Sequence, residues 1–425
     1  MNKGLIKNFD ELAIDENRRL ILQIVEAGLG AINTHNVVLN SISLQNSLLK
    51  IQNQTFDLNK FKRIKIIGIG KASGEAVLVL EKTLGSKIQA GVVIGLDKIS
   101  CQYIETFIGT HPRPSEVNLV AGKKIYEMLS NSTEDDLIIV VVSGGGSALL
   151  NYPDTEYIQG LRLYDAFLKT GKTINEINTI RKHLSLLKGG GLVKIAYPAT
   201  VVGLIFSDIP GNHFEDVASG PTYKDKTMVA DAQKIISENN LGDFELIETP
   251  KEDKYFEHVY NFVLVSNETA VEAMSKKTQE LGLSANIVST ELFDNTTGVL
   301  EKIFSVRDKN SNNFVVLAAG EPRIEVKDRG GKGGRNLHLG LQALKNIDKN
   351  SVFISIASDG IDNSDVAGVV IDKHTLAKTQ KLNLNIDDYL NRFDSYNFFK
   401  QVGNTIVTGR TGSNVSDLMI LLTKN

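Results

Sequence analysis

The 425-residue sequence predicts an α/β protein in which a parallel β-sheet is followed by a second, smaller α/β domain. Apolar runs of strand length alternate with segments whose apolar residues recur every three or four positions, as strands alternating with helices do. The strand-like runs are almost continuously apolar, which indicates a sheet covered on both faces. The chain is also long for a single hydrophobic core, so two domains are expected.

The first half of the chain contains a leading helix and five predicted strands. Between residues 10 and 32 the apolar residues are spaced as on one face of a helix. The predicted strands occupy residues 63–70, 90–96, 103–110, 136–142 and 199–208. The helices between them are predicted at residues 72–84, 115–129, 154–169 and 174–187.

A polar segment separates the two predicted domains. Residues 239–258 lack a regular apolar pattern and are interrupted by Gly242 and Pro250. This segment predicts a boundary between a first domain at residues 1–243 and a second at residues 248–425. In the second domain, strands are predicted at residues 261–266, 285–289, 312–320 and 351–360.

Composition and charge exclude several classes of function. The net charge of −3 provides no basic surface for nucleic acid. Cys101 is the only cysteine, so neither a disulfide framework nor a cysteine-based zinc site can form. No segment approaches the roughly 18 apolar residues of a spanning helix, and the charged N-terminus lacks a signal-peptide run. We therefore expect a cytoplasmic protein without nucleic-acid or membrane partners.

Glycine-rich loops follow the first and fourth predicted strands, at the edge where open α/β sheets bind ligands. The first, "GIGKASG", leads into a helix whose free N–H groups and dipole favour phosphate. The second, "SGGGS", is typical of a backbone cradle for an anion. Neither matches a Walker A loop or a nucleophile elbow. The residues predicted to bind substrate or phosphate here are Gly70, Lys71, Ser73, Ser143, Gly144, Gly145, Gly146 and Ser147.

Three further candidates in the first domain are charged or titratable. His111 follows the third strand, and Asp208 follows the fifth, where a general base or a metal ligand would be useful. Arg181 lies in a predicted helix and could clamp a carboxylate with two hydrogen bonds. The alternatives are a packed histidine, a capping aspartate and an exposed basic helix face.

The second domain adds charged glycine-rich loops. Arg335 belongs to the loop at residues 321–336, and Asp359 belongs to the segment at residues 357–368. Cations, oxygen ligands and backbone cradles without a cysteine or histidine cluster are typical of phosphoryl transfer. A weaker pattern, formed by the glycines at 68, 70 and 74 with Asp97, partly matches a dinucleotide fingerprint and leaves hydride transfer open.

Several long motifs, in this order, resemble the two-domain glycerate 2-kinases, whose C-terminal domain is of the MOFRL type. They are "GIGKAS", "HPRPSE", "DDLIIVVVSGGGSALL", "EINTIRKHLSLLKGGGL", "SDIPGNHFEDVASGPT", "GGKGGRN", "SDGIDNSDVAGVVID", "DSYNFF" and "TGRTGSNVSDL". The resemblance implies a Rossmann-like first domain and an active site in the cleft between the domains. It also implies transfer of phosphate from ATP to the 2-hydroxyl of D-glycerate, with Mg²⁺, to give 2-phosphoglycerate.

The resemblance also implies roles for individual residues. The family's functional lysine falls on Lys71, its acidic residue on Asp208 and its arginine on Arg335. We further expect Arg181 to bind the acceptor carboxylate and Asp359 to be a ligand of the metal. The expected partners are a nucleotide and D-glycerate, and a homodimer is among the assemblies left open.

Three alternative functions remain. The family also carries the name hydroxypyruvate reductase, which would be an NAD(P)H-dependent activity. A kinase for a related small hydroxy acid would use the same loops. A sensor of nucleotides or sugar acids would keep the glycine loops without needing Lys71 and Arg335 together.

Overall fold

The described residues form two six-stranded sheets and one small three-stranded sheet. A computed structural model describes residues 4–170, 174–306, 313–326 and 330–424. The strands are β1 (Ile42–Gln45), β2 (Leu48–Ile51), β3 (Gln54–Asp57), β4 (Arg63–Ile69), β5 (Ile88–Gly95), β6 (Glu105–Ile108), β7 (Asp136–Ser143), β8 (Thr200–Phe206), β9 (Val259–Val265), β10 (Ser284–Leu292), β11 (Phe314–Gly320), β12 (Ser351–Ala357), β13 (Gly368–Ile371), β14 (Thr405–Ile406) and β15 (Asp417–Thr423).

Helices connect most of these strands. They are α1 (Phe9–Leu12), α2 (Glu16–Ala31), α3 (Thr34–Ser41), α4 (Ser73–Leu84), α5 (Glu116–Ser130), α6 (Gly146–Leu149), α7 (Asp154–Thr170), α8 (Ile174–Leu184), α9 (Gly191–Ala196), α10 (Val229–Glu238), α11 (Asn267–Glu280), α12 (Thr296–Ser305), α13 (Arg335–Ala343), α14 (Lys373–Lys381), α15 (Ile386–Asn391) and α16 (Ser395–Val402). Short 3₁₀ segments lie at Leu58–Lys60, Gly85–Lys87, Phe214–Ser219 and Asp253–Phe256. None of the helices in the described ranges is long and apolar enough to cross a bilayer.

The first large sheet confirms the predicted parallel sheet. Its strand order is β6-β5-β4-β7-β8-β9, and every neighbouring pair is parallel. The strands extend outward in both directions from β4, so the strand order reverses between β4 and β7. All eight residues of β7 are buried, which explains its continuous apolar run. Ligands of such sheets bind beyond the carboxyl ends at this reversal, which here is the position of both predicted glycine loops.

The second large sheet is mixed. Strand order is β10-β11-β15-β12-β13-β14; β10 and β11 are parallel, and the other neighbours are antiparallel. The last strand of the chain, β15, lies between β11 and β12. This sheet and its helices confirm the prediction that a second α/β region follows the parallel sheet.

One predicted strand belongs to a different sheet from the one expected. The run at 261–266 was expected in the second domain, but β9 pairs with β8 at the edge of the parallel sheet. The polar segment before it folds back onto the first sheet's helices instead of linking two domains. The backbone N–H of Glu245 donates to Gln159 (2.6 Å), and that of Ile247 donates to the carbonyl of His183 (2.8 Å).

The described chain divides into two compact units that differ from the predicted domain limits. One unit contains residues 34–209 and 213–265, and the other contains residues 1–33, 210–212 and 266–425. The N-terminal helix α2 therefore belongs to the same unit as the second sheet, where it packs against α11. A buried ion pair fixes it there: Arg18 donates two hydrogen bonds to the carboxylate of Asp372, at 2.7 and 2.8 Å.

Replacing Arg18 with alanine is expected to destabilise the second unit by about 3–5 kcal/mol, because Asp372 would remain as a buried charge without its partner. The neighbouring Arg19 is exposed, so Arg19→Ala is a matched control that should change the free energy of unfolding by less than about 0.5 kcal/mol. Urea unfolding of both variants measures the difference. Equal stabilities would contradict the assignment of α2 to this unit.

Candidate active site

The loops after β4 and β7 are joined by main-chain contacts at the carboxyl edge of the parallel sheet. Gly70 follows β4 with a φ of +111°, and a Cβ there would overlap the carbonyl group of Ser143. The N–H of Lys71 donates to the carbonyl of Gly144 (2.9 Å), and the N–H of Ala72 donates to the Ser143 hydroxyl (3.1 Å). The two predicted phosphate loops therefore form a single structure, and only glycine fits at position 70.

The glycines at 144 and 145 make room for the side chains of other candidates. A Cβ at Gly144 would overlap the carboxylate of Asp208. Gly145 has a φ of +80°, and a Cβ there would lie 3.2 Å from both the His111 ring and the Lys71 side chain. The two glycines thus leave space for other side chains: the Asp208 carboxylate lies against Gly144, and the Lys71 side chain and the His111 ring lie against Gly145.

His111 lies in a positively charged environment. Partial burial lowers the pKa of His111 to about 4, and the positive charges of Lys71 and Arg181 act in the same direction. The imidazole is therefore neutral at physiological pH. This coupling also indicates that three sequence-predicted residues face the same space.

Arg181 is a largely desolvated cation on α8. Burial lowers the pKa of Arg181, against the attraction of Glu156 and Tyr164. Its Nη1 donates to Asn178 Oδ1 over 3.4 Å, and Arg181 has no ion pair with any residue in the described part of the chain. Glu156 is instead paired with the buried Lys188. A desolvated guanidinium without a paired carboxylate is well suited to bind an anionic ligand.

The amide groups of the glycine loop are also available. Within the described ranges, no main-chain carbonyl accepts a hydrogen bond from the backbone N–H groups of residues 144–147. The loop can therefore donate to an anion beside Lys71 and Arg181.

Two predicted binding serines have structural roles instead. The hydroxyl of Ser73 is fully buried and donates to the carbonyl of Gly70 (2.7 Å). The hydroxyl of Ser143 is also buried and joins the two loops through the carbonyl of Ile69 (3.1 Å) and the N–H of Ala72. Because both hydroxyls bind groups inside the protein, the proposed phosphate contacts do not include these two serine side chains.

Arg335 is the first residue of α13, in the other compact unit. Its Nε donates to the buried Asp417, and its Nη2 donates to Glu321 over 3.1 Å. The side-chain amide of Asn336 donates to Asp417 (2.8 Å) and to Asp362 (3.2 Å). Arg335 is therefore next to a pair of buried carboxylates that share one amide donor. Burial, with a smaller contribution from the charge of Asp362, raises the pKa of Asp417 to about 7 against the lowering effect of Arg335 and Asn336.

Asp359 does not belong to a cluster of metal-ligating side chains within the described residues. One of its carboxylate oxygens accepts from the N–H of Ile361 at 3.0 Å, which forms a local turn. Asp15, Asp372 and His374 form such a cluster, but both oxygens of Asp372 bind Arg18. A metal role for Asp359 stays a prediction. Residues 327–329 of the predicted charged loop before Arg335 lie outside the described residues.

Comparison with known proteins identifies the family. Residues 20–246 match a domain of unknown function, DUF4147, and residues 314–417 match the MOFRL family. A Pyrococcus horikoshii protein named glycerate 2-kinase is 31% identical, covering 95% of this chain and 97% of its own. The chain belongs to the glycerate 2-kinase family.

Other members of the glycerate 2-kinase family give the same result. A Sulfurisphaera tokodaii glycerate 2-kinase is 34% identical, with 86% of this chain and 92% of that protein covered. The crystal structure of a Thermotoga maritima glycerate kinase matches with a TM-score of 0.83 and 29% identity, covering 95% of this chain and 99% of that one. The protein is therefore an enzyme of the kinase class, which uses a nucleotide and a small-molecule acceptor.

Sequence reasoning on this kinase missed the residues that hold the candidates in place. Asn178 contacts Arg181, and Asp417 binds Arg335. Both lie within motifs quoted above, but nothing in the spacing of Asp417 indicates an arginine 82 residues earlier. Only the fold shows that Asn178 and Asp417 lie in contact with the two candidate arginines.

In the ligand-free kinase, His111 is expected to titrate near pH 4. Between about pH 4 and 6.5 the unfolded chain then binds a proton that the folded chain does not, so this group makes stability rise with pH across that window. Inorganic phosphate bound beside Lys71 and Arg181 should raise the pKa, because it offsets their charge. NMR titration, with His111→Gln to assign the signal, measures both values. A ligand-free pKa of 6.5 or above would contradict the arrangement.

Proposed function

We propose that the protein transfers the γ-phosphoryl group of ATP to the 2-hydroxyl of D-glycerate, giving 2-phosphoglycerate. One observation supports this reaction beyond the family relationship. The His111 ring and the Lys71 side chain lie beside Gly145, the charges of Lys71 and Arg181 lower the pKa of His111, and the Asp208 carboxylate lies against Gly144. Phosphoryl transfer to a hydroxy acid requires cations for two anionic groups and a carboxylate for the hydroxyl proton.

Arg181 is the proposed ligand of the acceptor's carboxylate. Its planar guanidinium can donate two parallel hydrogen bonds to a carboxylate. Burial has already removed much of the water around this guanidinium. Binding an anion therefore costs less further desolvation of the arginine than it would at an exposed arginine. The neutral His111 beside it can donate to or accept from a substrate hydroxyl.

Lys71 is the proposed partner of the transferring phosphoryl group. Its side chain is exposed at the carboxyl edge of the sheet, next to Gly145 of the glycine loop. An ammonium group and backbone amides that are held where negative charge develops on the phosphoryl group stabilise the transition state. Arg335, which the family resemblance singles out, stays the candidate for a second positive charge on the transferring group.

Asp208 is the proposed acceptor of the hydroxyl proton or a ligand of Mg²⁺. Its carboxylate lies against the glycine loop, and Mg²⁺ prefers one or two carboxylates together with substrate phosphates, so the donor set fits this ion. When bound, Mg²⁺ would neutralise charge on the nucleotide's phosphates. Asp208 would hold it, with Asp359 as the second candidate, and Asp208 would also orient the acceptor hydroxyl.

The test is to incubate the protein with ATP, Mg²⁺ and D-glycerate, and separately with NADH or NADPH and hydroxypyruvate. ADP formation that depends on glycerate supports the kinase, whereas oxidation of the reduced nucleotide alone would support the reductase. ³¹P NMR of the product identifies the acceptor oxygen, because a phosphate on carbon 2 couples to one proton and a phosphate on carbon 3 couples to two. Other 2-hydroxy acids at equal concentration define the acceptor.

A further inference from the structure

A left-handed turn follows β8 in the first compact unit. Ala218, Ser219 and Gly220 have φ angles of +52°, +59° and +63° in succession. Glycine accepts this conformation readily, but in alanine and serine the Cβ approaches the following carbonyl oxygen. Strained backbone of this kind persists only where the surroundings enforce it, and it is concentrated at functional sites.

The turn is held between two glycine segments. The N–H of Gly189 donates to the carbonyl of Ser219 (2.9 Å), and the N–H of Gly190 donates to the carbonyl of Gly220 (2.8 Å). On the other side, a Cβ at Gly146 would overlap the methyl group of Ala218. The strained turn therefore fills the space that the glycine loop after β7 leaves open.

The Ser219 hydroxyl connects the glycine loop to Arg181. Ser219 is fully buried, and its Oγ lies 2.8 Å from Ser147 Oγ. It also donates to Asn178 Oδ1 over 3.4 Å, the same oxygen that accepts from Arg181 over 3.4 Å. Arginine only donates, so Asn178 Oδ1 is the acceptor for both groups.

Ser219 therefore lies between the glycine loop and the acceptor of Arg181. Either serine can be the donor in the 2.8 Å contact between the two hydroxyls. In both arrangements Ser219 contacts Ser147 on one side and, on the other, the Asn178 oxygen that accepts from Arg181.

We propose that Ser219 is a positioning residue that fixes Ser147 and Arg181 relative to each other at the acceptor site. The proposal rests on the proposed function for the identity of the substrate. The positioning of Arg181 by Ser219 through Asn178 does not depend on which substrate is phosphorylated.

Two variants test the proposal. Ser219→Ala removes the hydroxyl and keeps the Cβ, and Ser219→Gly removes the hydroxyl from a backbone that suits glycine, so this variant retains the turn if the first one misfolds. We expect the KM for D-glycerate to rise about tenfold, with the KM for ATP and kcat little changed, because one buried hydrogen bond to the acceptor site is lost. In the ligand-free variants the NMR pKa of His111 should rise, because Arg181 is no longer held beside it.

Ser132→Ala is the matched control. It also removes one hydroxyl hydrogen bond, to Lys65 (3.0 Å), but at the amino-terminal edge of the same sheet, so neither KM nor the His111 pKa should change. Folded Ser219 variants with the wild-type KM for glycerate and the wild-type His111 pKa would overturn the proposal. If the wild-type protein phosphorylates no 2-hydroxy acid, the proposed function fails, and the His111 measurement alone decides whether Ser219 positions Arg181.

Discussion

Replacing Lys71 with alanine is expected to lower kcat by about a hundredfold or more. A preorganised charge contact of this kind is worth roughly 2.7–4 kcal/mol in the transition state. The lysine lies two residues after the end of β4, and its N–H donates to the carbonyl of Gly144, so its backbone is fixed by the glycine loop. Its side chain is exposed, so its removal should leave the free energy of unfolding almost unchanged.

Steady-state kinetics with saturating ATP and acceptor measure this effect, and thermal unfolding checks the fold. Lys82 provides a matched control, because it is also an exposed lysine and lies on α4, the helix that follows Lys71. Lys82→Ala should keep the wild-type kcat. A Lys71→Ala variant with near-normal kcat would exclude Lys71 from the chemistry, whatever its effect on KM.

Replacing Gly144 with alanine should reduce kcat by a similar or larger factor. The added Cβ would occupy the position of the Asp208 carboxylate, so either the loop or the aspartate must move. A displacement of about 1 Å in a catalytic group can cost a hundredfold in rate. Since Gly144 also accepts the hydrogen bond of the Lys71 N–H, the same shift would disturb the lysine.

Gly160→Ala is the control for this second prediction. Gly160 lies on α7, and the nearest atom to an added Cβ there is 3.9 Å away. An alanine in that helix should keep full activity and raise the free energy of unfolding by about 0.5–1 kcal/mol. If Gly144→Ala were as active as Gly160→Ala, the close approach of Asp208 to the loop would have no role in catalysis.

The sequence predicted the parallel sheet well because its strands are buried on both faces. β7 is apolar from Leu137 to Val142, and burial of all its residues leaves no polar face to obscure the pattern. The same reasoning assigned β9 to the wrong sheet, since an apolar run does not reveal which neighbour it pairs with. Hydrogen bonds from the polar segment before it, to Gln159 and His183, decide that pairing.

Within the candidate site, the glycines are the residues whose structural reason the fold explains most directly. Gly70, Gly144 and Gly145 mark positions where another group approaches the backbone, and the fold supplies those groups. Sequence could not distinguish hydroxyls that face a ligand from those that stabilise a turn, as Ser73 does. That distinction depends on side-chain direction, which is set by packing.

The ion pair between Arg18 and Asp372 has a consequence for the order in which the protein can fold during synthesis. The two residues are separated by 354 positions, so at about 5–20 residues per second the arginine leaves the ribosome on the order of 20–70 s before its partner. The parallel sheet, whose strands lie between residues 63 and 265, can assemble during that interval. Helix α2 must wait with its apolar face uncovered, which makes the nascent N-terminus a natural binding site for chaperones.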